Sequence, residues 1–132
     1  MAMKATRTNQ NEYTVTNQDG TSLKVSPHGT PGAFSPGELL QAALLGCASL
    51  SADAQLSHML GADFDAEASV KSTEADNFIT DMLFEFQIKT EGLDDAEREK
   101  IIKAAAKKIE RLCIVKRSLN KGINTETDIS AS

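Results

Sequence analysis

Residues 35–47 read SPGELLQAALLGC, and this run predicts the start of a long helix that carries the first of two cysteines. Ser35 is a preferred N-cap and Pro36 suits the first helical position. Glu38 lies three residues after Ser35, which completes a capping box. Gly61 is a suitable residue to end the helix. The pattern therefore predicts one long helix between Ser35 and Gly61.

Apolar residues cover nearly the whole circumference of this helix. They are Leu39, Leu40, Ala42, Ala43, Leu44, Leu45, Cys47, Ala48 and Leu50. A helix that is apolar on every side is buried on every side. Because a chain of 132 residues can hardly wrap such a helix alone, we expect a second copy of the chain to cover one side of it.

Four further segments predict β-strands. Residues 12–26 alternate apolar and polar side chains around an Asp-Gly turn, which predicts a hairpin, and a Pro- and Gly-rich loop follows. Residues 66–72 and 82–89 alternate in the same way and predict half-buried strands. Residues 123–129 alternate Ile or Thr with Asn, Glu or Asp and predict a last strand.

A second helix is predicted to begin at Asp94, which is an N-cap with Glu97 three residues further on. Its expected core stripe is Ile101, Ile102, Ala105, Ile109, Leu112 and Cys113. The helical region is expected to close with Leu119, before Gly122. Strands, helix, strands, helix and strand predict an α+β fold with antiparallel pairing, in a single domain over residues 1–132.

Composition and spacing argue against several classes of function. A net charge of −5, no Trp and one Tyr disfavour nucleic-acid binding. No uninterrupted apolar run reaches about 18 residues and the first residues do not read as a signal peptide, so we expect a cytoplasmic protein without membrane association. Two His and no Cys-x-x-Cys spacing predict no metal, and the absence of a glycine-rich phosphate loop predicts no cofactor.

Cys47 and Cys113 are the residues most able to carry chemistry. If the fold brings them together they form a redox pair, and if it does not they are two small buried side chains. A free thiol has a pKa of about 8.5, which burial raises. Cys47 lies about three turns from its own helix N-terminus, so we expect a reactive Cys47 to need a nearby cation. The candidate cations are Arg7, Arg98, Arg111 and Arg117.

Two motifs in the chain carry a resemblance to a known family. One has the form Pro-x-Glu-Leu-Leu-x-Ala-Ala-x-x-x-Cys, and the other is Cys-Pro-Val-x-x-x-Leu after an amphipathic helix. The first is matched by Pro36, Glu38, Leu39, Leu40, Ala42, Ala43, Gly46 and Cys47. The second is matched by Cys113, Val115 and Leu119. On these residues the chain resembles the OsmC/Ohr family over most of its length.

The resemblance implies antiparallel sheets packed around two long central helices in an intertwined homodimer. It also implies a thiol-dependent peroxidase of the oxidative stress response that reduces organic hydroperoxides. Cys47 would be the peroxidatic thiolate, which becomes a sulfenic acid, and Cys113 would be the resolving thiol that forms a disulfide with it. An external dithiol, in the family often a lipoyl group, would reduce that disulfide.

Three positions depart from the pattern of the well-characterised peroxidases. Those enzymes carry a Glu where this chain has Gly37, paired with an Arg from the N-terminal strands. Glu38 matches the more widespread Glu of the motif, and Arg7 precedes the long helix, so Arg7 and Glu38 are the expected supporting residues of the site. Ile114 replaces the Pro after the resolving cysteine. The chain thus resembles the broader OsmC-like branch.

A second function remains open from the sequence. The same fold could hold a small apolar ligand at the dimer interface with inert cysteines, or act as a redox sensor that forms the disulfide without turnover. The Gly at position 37 favours the ligand-binding alternative with inert cysteines, whereas the presence of both cysteines opposes it.

Overall fold

The computed structural model describes residues 2–132, and its contacts divide the chain into two compact units, one up to Ala43 and one from Leu44 onward. The first unit contains three antiparallel strands in the order β1-β2-β3. These are β1 (Lys4–Asn9), β2 (Glu12–Thr16) and β3 (Ser22–Val25). The hairpin predicted over residues 12–26 is confirmed as β2 and β3, which pair in the register Tyr13 to Val25.

The predicted long helix is confirmed as α1 (Pro36–Leu60). It begins with the predicted capping box, because the Ser35 backbone N–H donates to Glu38 Oε1 at 2.9 Å and the Glu38 N–H donates to Ser35 Oγ at 3.3 Å. The Ser35 backbone N–H is also the main cause that holds the pKa of Glu38 below its usual value. Gly61 follows the helix with a φ of 103°, a conformation that favours glycine.

The second unit contains an antiparallel pair of strands, β4 (Ala66–Ala75) and β5 (Phe78–Ile88). Both were predicted, and both are longer in the structure than the alternation indicated. The turn between them is formed by Asp76 and Asn77 at φ of 52° and 66°, the left-handed pair that suits a tight hairpin. Alternate side chains of these two strands, including Val70, Met82 and Phe84, pack against the buried core.

The remaining helices are α2 (Asp95–Leu112) and α3 (Ile114–Lys121). Asp94 caps α2 as predicted, since its carboxylate accepts the Glu97 N–H at 2.8 Å. The buried core of the second unit is made of two stripes with a spacing of four residues. The stripes are Leu44, Ala48, Ala52 and Leu56 on α1, and Ile101, Ala105, Ile109 and Cys113 along and just after α2. Both stripes belong to one cluster of buried residues.

The predicted burial was wrong for two residues of the α2 stripe. Ile102 and Leu112 are 61% and 55% exposed. Each of them is the sequence neighbour of a stripe residue, Ile101 or Cys113. Because consecutive residues on a helix are rotated by about 100° around its axis, Ile102 and Leu112 lie off the buried face. Within the single chain these two side chains therefore face solvent.

The predicted strand over residues 123–129 was also wrong for the isolated chain. The segment after Gly122 has no regular secondary structure, and every residue in it is exposed, with Ile129 at 87%. An alternating sequence becomes a strand only when a neighbouring strand pairs with its backbone groups. No strand of this chain pairs with the segment in the part that the structure describes.

The single chain covers only part of α1. By length and composition alone α1 could cross a membrane, but core helices of soluble proteins meet the same criteria. Only 22% of the most apolar stretch of α1 is buried. Leu50 is 74% exposed. The expected burial on every side is therefore not achieved within one subunit. The structure confirms an α+β fold with antiparallel sheets and three helices, whereas the homodimer, the central position of two helices and the single-domain boundary stay predictions.

Candidate active site

The fold brings Cys47 and Cys113 together. Cys113 is fully buried and lies between α2 and α3, where the sequence predicted one continuous helix. Its backbone N–H donates to the Ile109 carbonyl oxygen at 3.0 Å and thereby ends α2. Its sulfur accepts the backbone N–H of Lys116 at 3.4 Å, which makes Cys113 the N-cap of α3. Cys47 is half-buried on α1 and packs against the same core.

The sulfur of Cys47 lies at the N-terminus of α3. Burial by itself raises the pKa of Cys47. The backbone N–H groups of Val115 and Ile114 act against burial, as does the thiol of Cys113, and their combined effect holds the pKa of Cys47 below its ordinary value. Ser51 contributes least, because its hydroxyl donates to the Cys47 carbonyl oxygen at 2.7 Å. Cys47 is therefore the thiol that ionises first.

The environment of Cys113 acts in the opposite direction. Burial raises the pKa of the Cys113 thiol, and the hydrogen bond and negative charge of Cys47 raise it further. The backbone N–H of Lys116 opposes this rise but does not cancel it. Because the two thiols interact, ionisation of Cys47 keeps the proton on Cys113. At neutral pH the pair accordingly combines one ionisable nucleophile with one protonated neighbour.

Backbone N–H groups perform the task for which the sequence predicted a cation. The first N–H groups of a helix have no partner inside the helix and carry partial positive charge toward its N-terminus. The expectation that the helix dipole contributes little concerned α1, on which Cys47 lies about three turns from the N-terminus. The backbone N–H groups that lower the pKa of Cys47 belong to α3, a helix that the sequence did not predict as a separate element.

The predicted cations of the second unit have other contacts. The Arg117 Nη1 donates to the Arg111 carbonyl oxygen at 3.4 Å, and both residues are exposed. Arg98 pairs with Asp95 at 3.6 Å. None of the three is among the causes that change the pKa of Cys47.

Arg7 and Glu38 both lie in the unit that ends at Ala43. Arg7 is an exposed residue of β1, opposite Tyr13 of β2, and Glu38 is held in the capping box. Their proposed support of Cys47 stays a prediction. Within residues 2–132 no group of three or more His, Cys, Asp or Glu side chains is arranged to hold a metal ion.

Ile114 is a candidate site residue whose contribution the sequence did not indicate. It was noted only as a departure from a Pro, but proline has no backbone N–H and could not donate to the Cys47 sulfur. The replacement of the motif's Pro by Ile114 was therefore the signal, because it adds a backbone hydrogen-bond donor at the first position of α3.

We expect Ile114→Pro to raise the pKa of Cys47 and to slow its alkylation severalfold at pH values below that pKa, because one N–H donor to the thiolate is lost. Proline is well tolerated at the first position of a helix, and Cys113 already has the extended backbone that a following proline requires. Ile114→Ala, which keeps the N–H and removes a side chain that is 65% exposed, is the matched control. Iodoacetamide reaction rates between pH 5 and 10 give the midpoint, and identical midpoints in the two variants would count against a role for this N–H.

Comparisons with known proteins agree with this architecture. A model described as "OsmC-like protein" matches residues 28–128. The chain belongs to the OsmC-like protein family. The match includes α1, both cysteines and all of the second unit's helices and strands.

Relatives of this OsmC-like chain are little characterised. It is 27% identical over 125 residues to an uncharacterized protein of Mycobacterium tuberculosis, covering 93% of this chain and 91% of the relative. An OsmC-like protein of unknown function from Vibrio cholerae has a TM-score of 0.69 at 14% identity, over 89% of this chain and 91% of that one. The organic hydroperoxide resistance protein OhrB of Bacillus subtilis has a TM-score of 0.53 at 19% identity, over 89% and 90% of the two chains. The structural likenesses show the shared fold.

Proposed function

We propose that this OsmC-like protein is a thiol-dependent peroxidase that reduces organic hydroperoxides through a Cys47 sulfenic acid and a Cys47–Cys113 disulfide. The observation that carries the proposal is the arrangement of two adjacent thiols with opposite tendencies to ionise at the N-terminus of α3. A peroxidase needs a thiolate nucleophile and a second thiol within reach. The opposite directions in which the pKa values of Cys47 and Cys113 are shifted support one thiolate and one neighbouring thiol.

The thiolate of Cys47 is stabilised without a fixed counter-ion. Hydrogen bonds to a charged group are stronger than those between neutral groups, and donors at a helix terminus are held in place before the reaction begins. Cys47 is half-buried, so a peroxide has a path to it, whereas the buried Cys113 reacts through Cys47. This asymmetry supports Cys47 as the residue that attacks the peroxide.

Organic hydroperoxides are the proposed substrates because the surroundings of Cys47 are apolar. Leu44 and Ala48, which lie on either side of Cys47 in α1, belong to the buried core. Val115 of α3 packs against that core. Such surfaces favour an alkyl or aryl group over the strongly hydrated hydrogen peroxide. The similarity to a protein named for organic hydroperoxide resistance supports the same substrate class.

The remaining parts of the proposal concern partners. An external dithiol, such as a lipoyl group, reduces the disulfide, and a cytoplasmic location keeps the cysteines reduced between turnovers. A second copy of the chain covers the exposed apolar face of α1 in an intertwined homodimer. The low burial of α1, of whose most apolar stretch only 22% is covered, supports this assembly, since large apolar patches on a monomer mark interaction surfaces.

We expect light scattering at micromolar concentration to report about twice the mass of one chain. We expect Leu50→Glu to shift the protein to single chains, because a charge placed in an apolar interface is costly. Ile129→Glu, at a position that is 87% exposed in the terminal segment, is a control for added charge. Wild-type protein that remains monomeric and folded would contradict the dimer.

The peroxidase proposal is tested by treating the reduced protein with one equivalent of cumene hydroperoxide. Non-reducing mass analysis is expected to show a loss of two hydrogen atoms that links the peptides containing Cys47 and Cys113, and a dithiol is expected to restore the reduced form with continued peroxide consumption. Disulfide formation without sustained consumption would favour a redox sensor. Unreactive cysteines would favour the ligand-binding alternative, to which the Gly at position 37 points.

A further inference from the structure

The C-terminal part of α2 and all of α3 carry most of the positive charge of the chain. Residues 100–121 contain one acidic residue, Glu110, and eight basic ones, whereas the whole chain has 14 Lys and Arg against 19 Asp and Glu. The eight are Lys100, Lys103, Lys107, Lys108, Arg111, Lys116, Arg117 and Lys121. This segment therefore has a charge of +7 inside a chain whose net charge is −5.

Three of these basic residues form a stripe on the outer side of α2. Lys103, Lys107 and Arg111 follow each other at intervals of four residues, and each lies two positions after a member of the buried stripe of the same helix. Two positions correspond to a rotation of about 200° around the helix axis, so the basic stripe lies opposite the buried one. All three of its residues are exposed.

Ion pairs within the chain neutralise little of the charge of this stripe. Lys103 pairs with Glu99 at 3.1 Å, and both side chains are largely exposed. In residues 2–132 neither Lys107 nor the guanidinium of Arg111 forms an ion pair. Like charges four residues apart destabilise a helix. The stability of α2 therefore does not account for the stripe.

The basic stripe ends at the candidate active site. Arg111 lies two residues before Cys113 in the chain, and Arg117 Nη1 donates to the Arg111 carbonyl oxygen at 3.4 Å across the bend between α2 and α3. Cys47 packs against the buried cluster that contains Cys113. A partner that binds along the stripe thus extends to the bend at which the cysteines lie.

The length and composition of the stripe indicate the class of partner. From Lys103 to Arg111 the helix rises about 12 Å, which is too long for one small anion. Residues 100–121 contain no Phe, Tyr or Trp on which bases could stack. The negative charge of the rest of the chain repels a long polyanion or an extended anionic membrane. An acidic protein of limited size meets the stripe alone.

We propose, building on the peroxidase function above, that the stripe of Lys103, Lys107 and Arg111 is the docking surface for an acidic protein that carries the reducing dithiol. Complementary charge accelerates the encounter of two proteins and orients them. A thiolate of the docked protein attacks the half-buried sulfur of Cys47. The S–S bond breaks, and Cys113 leaves as a thiolate whose sulfur accepts the Lys116 backbone N–H at 3.4 Å.

The electrons and protons of this exchange balance. The first attack joins the docked protein to Cys47 in a mixed disulfide, and Cys113 keeps the electron pair of the broken S–S bond. The second thiol of the docked protein then attacks the sulfur of its own neighbour in the mixed disulfide. Its proton passes to Cys113, and Cys47 is released as a thiolate. The two thiols of the docked protein are oxidised to a disulfide, the Cys47–Cys113 disulfide is reduced, and one proton enters the solvent.

The test measures how fast two synthetic dithiol peptides reduce the oxidised protein. Both contain Cys-Gly-Pro-Cys, flanked by Glu in one peptide and by Gln in the other. Each rate is divided by the rate of the same peptide with the uncharged 2-hydroxyethyl disulfide, which removes differences in thiol reactivity. We expect the Glu peptide to be about tenfold faster at about 0.01 M salt, where charges are screened over about 30 Å. At about 1 M salt, where the screening length is about 3 Å, the two peptides should react equally.

Lys107→Glu separates docking from the thiol chemistry. This variant is expected to lose most of the preference for the Glu peptide, while its rate with uncharged dithiothreitol stays unchanged. The new carboxylate lies four residues from both Lys103 and Arg111, an arrangement that favours the helix, so the fold is kept. Lys4→Glu, at an exposed position of β1, makes the same change in net charge and is expected to keep the preference.

Equal rates of the two peptides at low salt, or an equal loss of preference in Lys4→Glu, would overturn the docking surface. Binding of the wild type, but not of Lys107→Glu, to phosphatidylglycerol vesicles or duplex DNA at physiological salt would overturn the choice of a protein partner. The starting disulfide is made with diamide, which oxidises thiols without a peroxide. Failure of the peroxidase function would instead appear as no oxidation of Cys47 by cumene hydroperoxide in a protein whose disulfide still reacts preferentially with the Glu peptide.

Discussion

Cys47→Ser is expected to lower peroxide consumption by at least about a thousandfold, to the background of the dithiol alone, because a hydroxyl cannot form the sulfenic acid on which the cycle depends. The backbone N–H groups of Ile114 and Val115 would remain in place, but they stabilise a charge that Ser does not acquire near neutral pH. Consumption of cumene hydroperoxide with dihydrolipoate as reductant measures the effect.

Cys113→Ser is the matched control for the loss of Cys47. This variant keeps the nucleophile, so it is expected to consume one equivalent of peroxide and to accumulate a trappable sulfenic acid at Cys47. The Cys113 sulfur caps α3 through the Lys116 N–H, and a hydroxyl can accept the same bond. Sustained turnover in Cys47→Ser at the wild-type rate would show that Cys113 acts alone and would remove the basis of the proposed mechanism.

Local signals in the sequence predicted most of the fold. The box between Ser35 and Glu38 and the cap at Asp94 are chemical patterns within one turn, and both helices begin where these patterns place them. The β1 strand has no such signal, since all six of its residues, KATRTN, are exposed and lack an apolar alternation. The pairing of β1 with β2 comes from backbone groups, which the side-chain pattern does not reveal.

The break at Cys113 and the terminal segment show where local signals fail. Cysteine is not a usual N-cap, and no Gly or Pro marks the end of α2, so the sequence predicted a continuous helix. Residues 123–129 have the alternation of a strand, but no strand in the described part of the chain pairs with them. A pattern predicts the tendency of a segment, while the tertiary neighbours determine whether it is realised.

The candidate site was only half visible in the sequence. The stripe that contains Ile109 and Cys113 indicated which face of the helix Cys113 shares. The stabilising group was sought among arginines because side chains are what a sequence displays. The N-terminus of α3 could serve as that group only after the helix break at Cys113 was known, and the contribution of Ile114 depends on that break.

Leu56→Ala is expected to lower the free energy of unfolding by about 3 kcal/mol, within the range measured for buried Leu-to-Ala changes. Leu56 is fully buried and, with Cys113, is one of the two largest side chains without solvent exposure. Three of the eight residues in the buried core are alanines, namely Ala48, Ala52 and Ala105. Alanine side chains cannot change rotamer to fill the space left behind, so the substitution should leave a cavity rather than a repacked core.

Leu83→Ala is the matched control, because Leu83 is 57% exposed on β5 and its truncation should cost less than about 1 kcal/mol. Urea unfolding of both variants in the reduced state, at one fixed protein concentration, gives the two free energies. Equal losses would mean that Leu83 is covered in solution and that the outer face of β5 is part of an interface. A small loss at Leu56 would mean that the two four-residue stripes are not the core. The packing of Cys47 against the cluster that contains Cys113 would then lose its structural support.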